Sequence, residues 1–397
     1  MNIACFLSEV STGGGNHLTK DFARNIIKLN NKDFKITLIT TTEIYDDFLN
    51  KNEIKYTKLN FSLFDRFLVK LWKKVFYRNM LNFFGVTSPM KNFVKKNKFD
   101  LIVFNSPSSY ILMCKEIDFI TCLWNTEIDD FKNFIEFDKL NYLNQKTIIE
   151  TSVQNAFKLI VFTEKNKQDL VKRFNCFKNK IVTISVKPIL PKIYEETKDK
   201  IIFKEEFEQL KLDKKKKWML YPAQFWSHKN HEYIIKSVKE IDKYGLSNIN
   251  FVFCGRDKGY LSEIKKKIGE QKLNDRFKIF GYLSDTQVIG LYLFSYALII
   301  PTYVGRTTMP LLESFYFNKK VFYSNKILDD KYYNFISGID LSNVKDFAEK
   351  LYLYTKSDKS NINNLKDIYH KECSDDLFVS RYTEIFNEFK FKKIIKK

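Results

Sequence analysis

Short, continuously apolar runs alternate with segments of helical periodicity, and this alternation occurs twice along the chain. In the first half, the runs typical of strands are Asn2–Leu7, Phe34–Thr40, Leu101–Asn105, Phe119–Leu123, Leu159–Phe162 and Lys180–Val186. In the second half, they are Trp218–Pro222, Ile249–Cys254, Arg276–Phe280, Ala297–Ile300 and Lys320–Tyr323. Strands that are apolar along their whole length are typical of a parallel sheet covered by helices on both faces. The sequence therefore predicts an α/β fold built from two successive domains with a cleft between them.

A break between the two halves is predicted near residue 188. The chain has 397 residues, more than one hydrophobic core usually serves. Pro188 and Pro191 lie close together and precede the charged stretch Glu195–Lys200, a composition typical of a linker. We expect a first domain at 1–188, a second at 189–374, and a C-terminal helix with a basic tail at 375–397. Whether that helix returns to the first domain stays open.

Composition limits the partners and the compartment. The net charge of +20 predicts attraction to an anionic partner, such as nucleic acid, anionic lipid or a phosphorylated substrate. The six cysteines are scattered singly, without the spacing of a metal site, and they indicate a reducing compartment. No run approaches the roughly 18 apolar residues that a membrane span needs, and the first residues lack the apolar core of a signal peptide. We therefore expect a cytoplasmic protein, either soluble or peripheral on a membrane.

Three segments of the second half place polar residues at the carboxyl end of a predicted strand, where open α/β sheets bind ligands. The first is WMLYPAQFWSHKNH, residues 218–231, which carries Lys229 just before a predicted helix. The N-terminus of that helix offers N–H groups to a phosphate, and Lys229 would add a full charge. The alternative is that Lys229 is one of many solvated lysines and that His228 and His231 only begin the helix.

The second segment is FVFCGRDKGY, residues 251–260, in which a strand again runs into a helix. Arg256 and Lys258 are expected to face the same crevice as Lys229. The guanidinium of Arg256 would hold a diphosphate oxygen bidentately, which a lysine cannot do. The alternative for Arg256 is an ordinary surface arginine.

The third segment is PTYVGRTTMPLLES, residues 301–314. Thr307 or Thr308 is suited to cap the following helix, and the backbone N–H groups of Thr308 and Met309 would then face an anion. Glu313 follows one turn later, where its carboxylate would accept both hydroxyls of a ribose. The alternative is a capped helix with a solvent-facing glutamate. Together, the three segments predict a pocket for a nucleoside diphosphate.

The segments YPAQFWSHKNH, FCGRDKG, FGYLSD and PTYVGRTTMPLLESF resemble the donor domain of glycosyltransferase family 4, the retaining enzymes of the GT-B fold. The resemblance covers residues 215–325 and is closest to a bacterial subgroup with a YPAQFW-x-HKNH signature that builds O-antigen and capsule polysaccharides. It implies two facing Rossmann-like domains, of which the first, 1–188, binds the acceptor and the second, 189–374, binds the nucleotide-sugar donor. It also implies transfer of a hexose from a UDP- or GDP-linked sugar to a saccharide or lipid-linked saccharide in the synthesis of cell-surface polysaccharide or lipopolysaccharide.

The resemblance implies roles for single residues as well. Lys229 would bind the donor phosphate, and Glu313 would hold the nucleotide ribose. Tyr282 falls where backbone groups meet the base, and the Gly13–Gly15 loop resembles a first-domain loop that approaches the donor phosphate or the acceptor. The predicted catalytic residues are Lys229, Arg256 and Glu313, and the predicted binding residues are Gly14, Gly15, Lys229, Arg256, Tyr282, Thr307, Thr308, Met309 and Glu313.

Three positions depart from the family pattern. Gln224 stands where the family commonly has an arginine. The YPAQFW subgroup also has a glutamine at this position. Gly305 replaces the usual first glutamate, so the grip on the donor sugar would pass to Arg306, Thr307 or backbone groups. Trp124–Asn125 stands where the family often has a histidine, so no catalytic base is evident and the leaving phosphate would take the acceptor proton. Catalysis would then rest on positioning and on stabilising the phosphate charge.

Carboxylates of the first half are further candidates for catalysis, whereas the sequence predicts no metal site. Glu127, Asp129 and Asp130 are candidates to serve the acceptor, and the alternative is that they are solvated loop acids. The sequence has no Asp-x-Asp motif, and its histidines lack ligand spacing. We expect neither a metal nor another cofactor, because cationic side chains would neutralise the diphosphate.

Residues 64–98 combine cationic and aromatic side chains at helical spacing. They hold nine Lys or Arg residues against one acid, Asp65. This pattern fits an interfacial helix on the anionic inner-membrane surface, on its cytoplasmic face. The alternative is a first-domain helix whose aromatic side belongs to the core.

Competing functions explain the sequence less well. A basic nucleic-acid-binding protein would account for the charge, but the chain has no RNP, KH or zinc-finger signature. A nucleotide-sugar epimerase of the same fold would need carboxylates and histidines, which are sparse in these segments, and a phosphorylase would need a lysine pattern for its cofactor that is missing. The sequence therefore favours a glycosyltransferase, with no nucleic acid as partner.

Overall fold

The computed structural model describes residues 1–11, 13–306, 309–357 and 365–395, and the chain divides into two compact units. The first unit comprises Met1–Ile128, Leu140–Lys187 and Cys373–Lys397, and the second comprises Asp129–Lys139 and Pro188–Glu372. The division differs from the expected ranges in two places. Residues 129–139 belong to the second unit, and the C-terminal residues from 373 onward belong to the first.

The first unit contains a seven-stranded parallel sheet. Its strands are β1 (Asn2–Phe6), β2 (Lys35–Thr40), β3 (Tyr56–Lys58), β4 (Leu101–Phe104), β5 (Phe119–Cys122), β6 (Lys158–Val161) and β7 (Ile181–Thr183). Their order across the sheet is β3-β2-β1-β4-β5-β6-β7. Alternate residues of β1 enter opposite cores, with Ala4 and Phe6 on one face and Ile3 and Cys5 on the other. This burial on both faces is why the strand is apolar throughout.

The second unit contains a six-stranded parallel sheet. Its strands are β8 (Lys217–Pro222), β9 (Ile249–Cys254), β10 (Phe277–Phe280), β11 (Ala297–Ile300), β12 (Val321–Ser324) and β13 (Ser337–Ile339). Their order is β10-β9-β8-β11-β12-β13. All pairings are parallel, so the carboxyl ends of these strands lie along one edge of the sheet.

Helices connect the strands of both sheets. They are α1 (Gly14–Ile26), α2 (Asp46–Lys51), α3 (Leu63–Trp72), α4 (Val75–Phe83), α5 (Pro89–Asn97), α6 (Ile128–Phe131), α7 (Lys139–Asn155), α8 (Glu164–Phe174), α9 (Ile189–Glu196), α10 (Ile201–Gln209), α11 (His231–Lys243), α12 (Leu261–Glu270), α13 (Asp285–Phe294), α14 (Met309–Tyr316), α15 (Val344–Lys356), α16 (Leu365–Glu372) and α17 (Asp375–Ile395). Strand, helix and strand therefore alternate through each unit, as the sequence predicts.

The last helix, α17, packs against the first sheet. Its buried residues Tyr382 and Phe386 belong to the same hydrophobic cluster as one face of β1. The helix extends to Ile395, so most of the basic tail is helical. Lysines of this tail pair with first-unit acids, and Lys393 Nζ lies 2.5 Å from Asp100 Oδ1.

The junction at Pro188 and Pro191 is helical, and of the stretch Glu195–Lys200, predicted as a linker, only residues 197–200 lie outside a helix. Pro188 is the N-cap of α9, and Pro191 lies in its first turn, where a missing backbone N–H removes no helical hydrogen bond. The next helix begins at Ile201. Only residues 197–200 separate the two helices.

All six cysteines are buried and form no disulfide. Burial raises the pKa of the Cys122 thiol to about 12, so it stays protonated and unreactive at neutral pH. None of the helices in the described ranges combines the length and the apolar composition needed to cross a bilayer.

Candidate functional site

Four loops of the second unit leave neighbouring strands at the same edge of the sheet. They follow β10, β9, β8 and β11, which are adjacent in that order. Each of the three segments singled out in the sequence contributes one of these loops. The carboxyl edge of a parallel sheet is where open α/β folds bind ligands.

Lys229 lies in a short 3₁₀ turn, Ser227–Lys229, between β8 and α11. The hydroxyl of Tyr221 donates to the Lys229 carbonyl at 2.7 Å. Asn230 closes the turn in a left-handed conformation, and its side-chain amide donates to the Pro301 carbonyl at 3.1 Å. These bonds tie the lysine loop to the loop after β11.

The ammonium of Lys229 lies beside the backbone of Gly305. Its Nζ is 3.5 Å from the position that a Cβ on residue 305 would take. Gly305 has a φ of 94°, which a residue with a side chain rarely adopts. The glycine therefore keeps the space next to the ammonium open. Arg306, the next residue, is buried.

Glu136 anchors the lysine turn, and the sequence did not suggest this residue. Its carboxylate accepts hydrogen bonds from the Ser227 hydroxyl at 2.6 Å, from the His228 backbone N–H at 3.1 Å, and from the His228 ring. Burial opposes ionisation, but these donors outweigh it and lower the pKa of Glu136 to about 2. Phe131 and Phe134 pack edge-on against the His228 ring. Residues 129–139 thus hold the turn that presents Lys229.

Arg256 lies in the loop after β9, next to the lysine loop. Its carbonyl accepts a hydrogen bond from the Phe225 backbone N–H at 3.0 Å. A Cβ on the preceding Gly255 would lie 2.3 Å from the Ala223 carbonyl oxygen, so only glycine allows the two loops to approach this closely. The exposed guanidinium of Arg256 stacks over the ring of Tyr282, with its Cζ 4.7 Å from the ring centroid.

Glu313 is buried in α14 rather than facing solvent, so the alternative of a solvent-facing glutamate is wrong. Its one side-chain hydrogen bond within the described ranges comes from the Tyr292 hydroxyl to Oε2 at 2.6 Å. Burial raises the pKa of Glu313 to about 7, although the Tyr292 hydrogen bond lowers it and the charge of Asp285 raises it further. A carboxyl group with this pKa changes its charge near neutral pH.

The helix that carries Glu313 begins at Met309. Thr307 and Thr308, which are predicted to cap this helix and to bind an anion, lie outside the described residues. The predicted binding role of Met309 stays a prediction.

His231 begins α11, but it belongs to the core. It is fully buried, and neither ring nitrogen has a hydrogen-bond partner within the described part of the chain. Its ring packs against Tyr221, Phe225 and Phe253. Burial lowers the pKa of His231 to about 3, so the imidazole is neutral and is not an acid at physiological pH.

In the first unit, Gly14 and Gly15 form the N-terminus of α1 after Gly13, whose φ is 72°. A Cβ on Gly15 would lie 2.6 Å from the ring of Trp124. The indole N–H of Trp124 donates to the Asn105 carbonyl at 2.8 Å. Gly15 is therefore packed against Trp124, and a side chain at this position would displace the indole ring.

Glu127 is not a solvated loop acid, because its side chain is buried and hydrogen-bonded. It is buried, and its carboxylate accepts hydrogen bonds from the Thr126 N–H at 2.9 Å and the Asn166 amide at 3.3 Å. Asp129 and Asp130 lie in the first turn of α6 and are half-buried. Within the described ranges, His, Cys, Asp and Glu residues form no group of three or more that could hold a metal ion.

The comparisons with known proteins agree with this architecture. Residues 202–328 match the family model "Glycosyl transferases group 1". No curated protein sequence matches the chain. A glycosyltransferase from Rickettsia africae ESF-5 has a TM-score of 0.71 and 16% identity, over 98% of each chain.

Two further solved structures have the same fold. Anabaena Alr3699/HepE, crystallised with UDP-glucose, has a TM-score of 0.70 and 10% identity, over 97% of this chain and 99% of that one. WaaG, a glycosyltransferase involved in lipopolysaccharide biosynthesis, has a TM-score of 0.58 and 12% identity, over 94% and 99%. The expected α/β fold of the GT-B type is confirmed, and residues 202–328 carry the sequence pattern of group 1 glycosyl transferases.

Proposed function

We propose that the protein is a retaining glycosyltransferase of family 4 that transfers a hexose from a UDP- or GDP-linked sugar to a saccharide or lipid-linked saccharide. The observation that carries this proposal is the joined set of loops at the carboxyl edge of the second sheet. Lys229 and Arg256 supply cations there. Hydrogen bonds link their loops to each other and to the loop after β11.

The chemistry of a nucleoside diphosphate fits these side chains. A diphosphate leaving group gains negative charge as the bond to the sugar breaks, and preorganised cations stabilise that charge most in the transition state. Lys229 would contact the phosphate next to Gly305, and Arg256 would bind a phosphate oxygen bidentately. Glu313 would accept the ribose hydroxyls through Oε1, since Oε2 is bonded to Tyr292.

The proposed reaction needs no protein base. The acceptor hydroxyl attacks the anomeric carbon, the bond from that carbon to the diphosphate oxygen breaks, and the proton of the hydroxyl passes to the leaving phosphate. Retention of the anomeric configuration is inferred from the family resemblance. The protein contributes position and charge, and we expect activity without a divalent metal.

The structural relatives support the choice of pathway. Alr3699/HepE was crystallised with UDP-glucose, and WaaG takes part in lipopolysaccharide biosynthesis. We propose the same broad role for this chain, the synthesis of an O-antigen, capsule or lipopolysaccharide. The YPAQFW-x-HKNH subgroup of the resemblance points to the same class of product.

Nucleotide release tests this proposal. UDP- and GDP-linked hexoses are incubated with the full chain, in the presence and absence of EDTA, and the released nucleotide is measured. We expect release from one nucleotide series, unaffected by EDTA and increased by a saccharide acceptor. An epimerase would instead convert the sugar without releasing nucleotide, and absence of turnover with both series would remove the proposal.

We also propose that the protein is peripheral on the cytoplasmic face of the inner membrane. Phenylalanines of α3 and α4 project into solvent, and Phe83 is 85% exposed. The others are Phe64, Phe67, Phe76 and Phe84. Exposed basic residues surround them, namely Arg66, Lys70, Lys73 and Lys74. We call residues 63–84 the α3–α4 patch.

The alternative was that the aromatic side chains of this region belong to the core of the first domain. This is true of only some of its apolar residues. Leu68, Val69, Trp72 and Leu81 are buried in the first unit, whereas the phenylalanines are not. Exposed aromatic rings among cations favour an interfacial position on anionic lipid, where the rings enter the headgroup region and the lysines contact phosphate. Lys91, further along in α5, is instead paired with Glu116.

Vesicle flotation tests the membrane proposal. We expect the full chain to float with vesicles of phosphatidylcholine and phosphatidylglycerol at low salt, and less so as the salt concentration rises. The double variant Phe83→Ser/Phe84→Ser should lose most of this binding. Phe391→Ser is the control, because Phe391 is also an exposed phenylalanine but lies on α17. Flotation that is equal for both variants, or absent at low salt, would contradict the proposal.

A further inference from the structure

The second unit has a cavity of about 390 Å³ at the amino edge of its sheet, opposite the loops of the candidate functional site. This volume lies within the roughly 300–1,000 Å³ range of ligand pockets. Lys217 is the first residue of β8, and Tyr296 and Lys320 directly precede the neighbouring strands β11 and β12. Since β8 has six residues and a strand rises about 3.3 Å per residue, about 16 Å separates this cavity from the loop that carries Lys229.

Lysines and aromatic rings dominate the lining of this cavity. The members of interest are Lys216, Lys217, Tyr296, Lys319, Lys320 and Tyr354. The described residues of the lining include no aspartate or glutamate. The ion pairs found in the described ranges involve none of the four lysines. In that part of the chain, four positive charges therefore surround one cavity without a carboxylate to neutralise them.

The four lysines are also withdrawn from water. Each is half-buried, although a lysine usually keeps its charged end in solvent. Burial lowers the pKa of Lys319 to about 8 and lowers the pKa of Lys320 as well. Gathering half-buried ammonium groups around one space therefore costs free energy, which an anion bound among them would offset.

Contacts within the protein explain the position of two of these lysines. Lys319 Nζ donates to the carbonyls of Leu293 and Ser295 at 2.7 and 3.1 Å. These carbonyls lie at the C-terminal end of α13, where a cation is favourable. Lys216 Nζ donates to the Asp275 carbonyl at 3.0 Å. Both lysines thus have a structural role and add positive charge to the cavity.

Lys217 and Lys320 lie over aromatic rings instead. Lys217 Nζ is 4.9 Å from the centroid of the Tyr296 ring, and Lys320 Nζ is 6.0 Å from that of Tyr354. The two rings pack on each other with their centroids 5.3 Å apart. A ring face holds an ammonium group in position and leaves its N–H groups available to a further acceptor. Both lysines are therefore placed to donate to a ligand.

We propose that this cavity binds a small soluble anion with two or more phosphate groups, at a site separate from the one that would hold the sugar donor. A lysine ammonium is a compact charge that suits phosphate oxygens, and four such charges match a multiply charged anion. Nucleic acid or a membrane would be served by cations spread along an exposed stripe or face. The proposal does not depend on the proposed function, because it uses none of the residues assigned to the donor.

Protection of single lysines tests the proposal. The full chain is treated with an amine-acetylating reagent, with and without inorganic pyrophosphate, and the acetylation rate of each lysine is measured by mass spectrometry. We expect pyrophosphate to slow the acetylation of Lys217 and Lys320 severalfold. Lys239 and Lys265, exposed lysines of α11 and α12, should react at unchanged rates. Protection of Lys229 reports separately on the candidate functional site, and its failure alone would count against the proposed function.

Calorimetry with two matched double variants gives the affinity, in chains that also carry Lys229→Ala. Lys217→Gln/Lys320→Gln should bind pyrophosphate about tenfold or more weakly than Lys239→Gln/Lys265→Gln, which removes the same charge elsewhere. Circular dichroism should find both proteins folded. Unprotected Lys217 and Lys320 in the unmutated chain, or equal affinity of the two double variants, would overturn the proposal. So would protection by phosphatidylglycerol vesicles or a short RNA but not by pyrophosphate.

Discussion

Both sheets are parallel, but the side chains at their carboxyl edges differ in charge. In the second unit, the edge carries Lys229 and Arg256 on loops that hydrogen bonds join. In the first unit, the corresponding edge surrounds a cavity whose lining has hydroxyls, amides and one carboxylate, but no lysine or arginine among the described residues. A fold of this kind fixes where ligands bind, and the side chains at each edge decide which ligand it is. The difference supports the proposal that the phosphate-bearing substrate binds at the second unit.

Of the substitutions at the second edge, loss of Lys229 should reduce activity the most. We expect Lys229→Ala to reduce sugar transfer about a hundredfold or more, the scale of removing one group that stabilises developing charge. Circular dichroism should find the variant folded. Lys236→Ala is the control, because Lys236 is an exposed lysine of α11. Equal activity of the two variants would break the assignment of the donor to this edge.

A substitution of Arg256 tests whether nucleotide binding depends on the shape of the guanidinium as well as on its charge. Arg256→Lys keeps the positive charge but loses bidentate binding and stacking on Tyr282. We expect nucleotide affinity, measured by calorimetry, to fall about tenfold. Arg381→Lys, on the exposed surface of α17, should leave affinity unchanged. An unchanged affinity in Arg256→Lys would mean that the guanidinium does not bind the diphosphate.

Glu313 should give nucleotide binding at the second edge a dependence on pH. Its pKa is raised from 4.5 to about 7, so the folded state keeps a proton that the unfolded chain has lost, and this group destabilises the fold as pH rises through that window. The ionised form accepts ribose hydroxyls better. Nucleotide affinity should therefore increase severalfold as pH rises through 7 in the wild type and stay flat in Glu313→Gln. A parallel rise in both proteins would assign the titration to another group.

Glu136 should have the smallest effect, because it acts only through the lysine turn. We expect Glu136→Gln to weaken nucleotide binding a few-fold and to lower the free energy of unfolding at neutral pH. Since the pKa is lowered from 4.5 to about 2, the carboxylate stabilises the fold above the unfolded pKa, and this contribution is lost as pH falls through that range. The stability difference between variant and wild type should therefore shrink on acidification.

Glu205→Gln is the control for this experiment, because Glu205 is an exposed residue of α10. A Glu136→Gln variant as stable and as tightly binding as this control would show that residues 129–139 do not position Lys229.

Most strands were predictable because a strand buried on both faces needs apolar residues along its whole length. Such a short apolar run is a clear sequence signal. The strands that the sequence did not indicate are β3 and β13, each only three residues long and at an edge of its sheet. Such edge strands carry no continuous apolar signal. The helices after β8, β9 and β11 were predicted from periodicity and from the residues that precede them.

The support of the candidate site was less predictable than its loops. Glu136 contacts His228 across 92 positions of sequence, and no local pattern marks a carboxylate for so distant a partner. The burial of Glu313 beside Tyr292 likewise depends on tertiary packing. Phe134 and Phe137 lie close to Glu136 in a loop. Aromatic residues in a loop are a sequence signal that the loop packs against another part of the protein.

A crystal structure of the full chain with UDP or GDP tests the central claim most directly. The account predicts one nucleotide at the second sheet, with its diphosphate in contact with Lys229 and Arg256 and its ribose hydroxyls within hydrogen-bonding distance of Glu313. A nucleotide bound in the cation-free cavity of the first unit, or bound at the second sheet without touching Lys229, would contradict it.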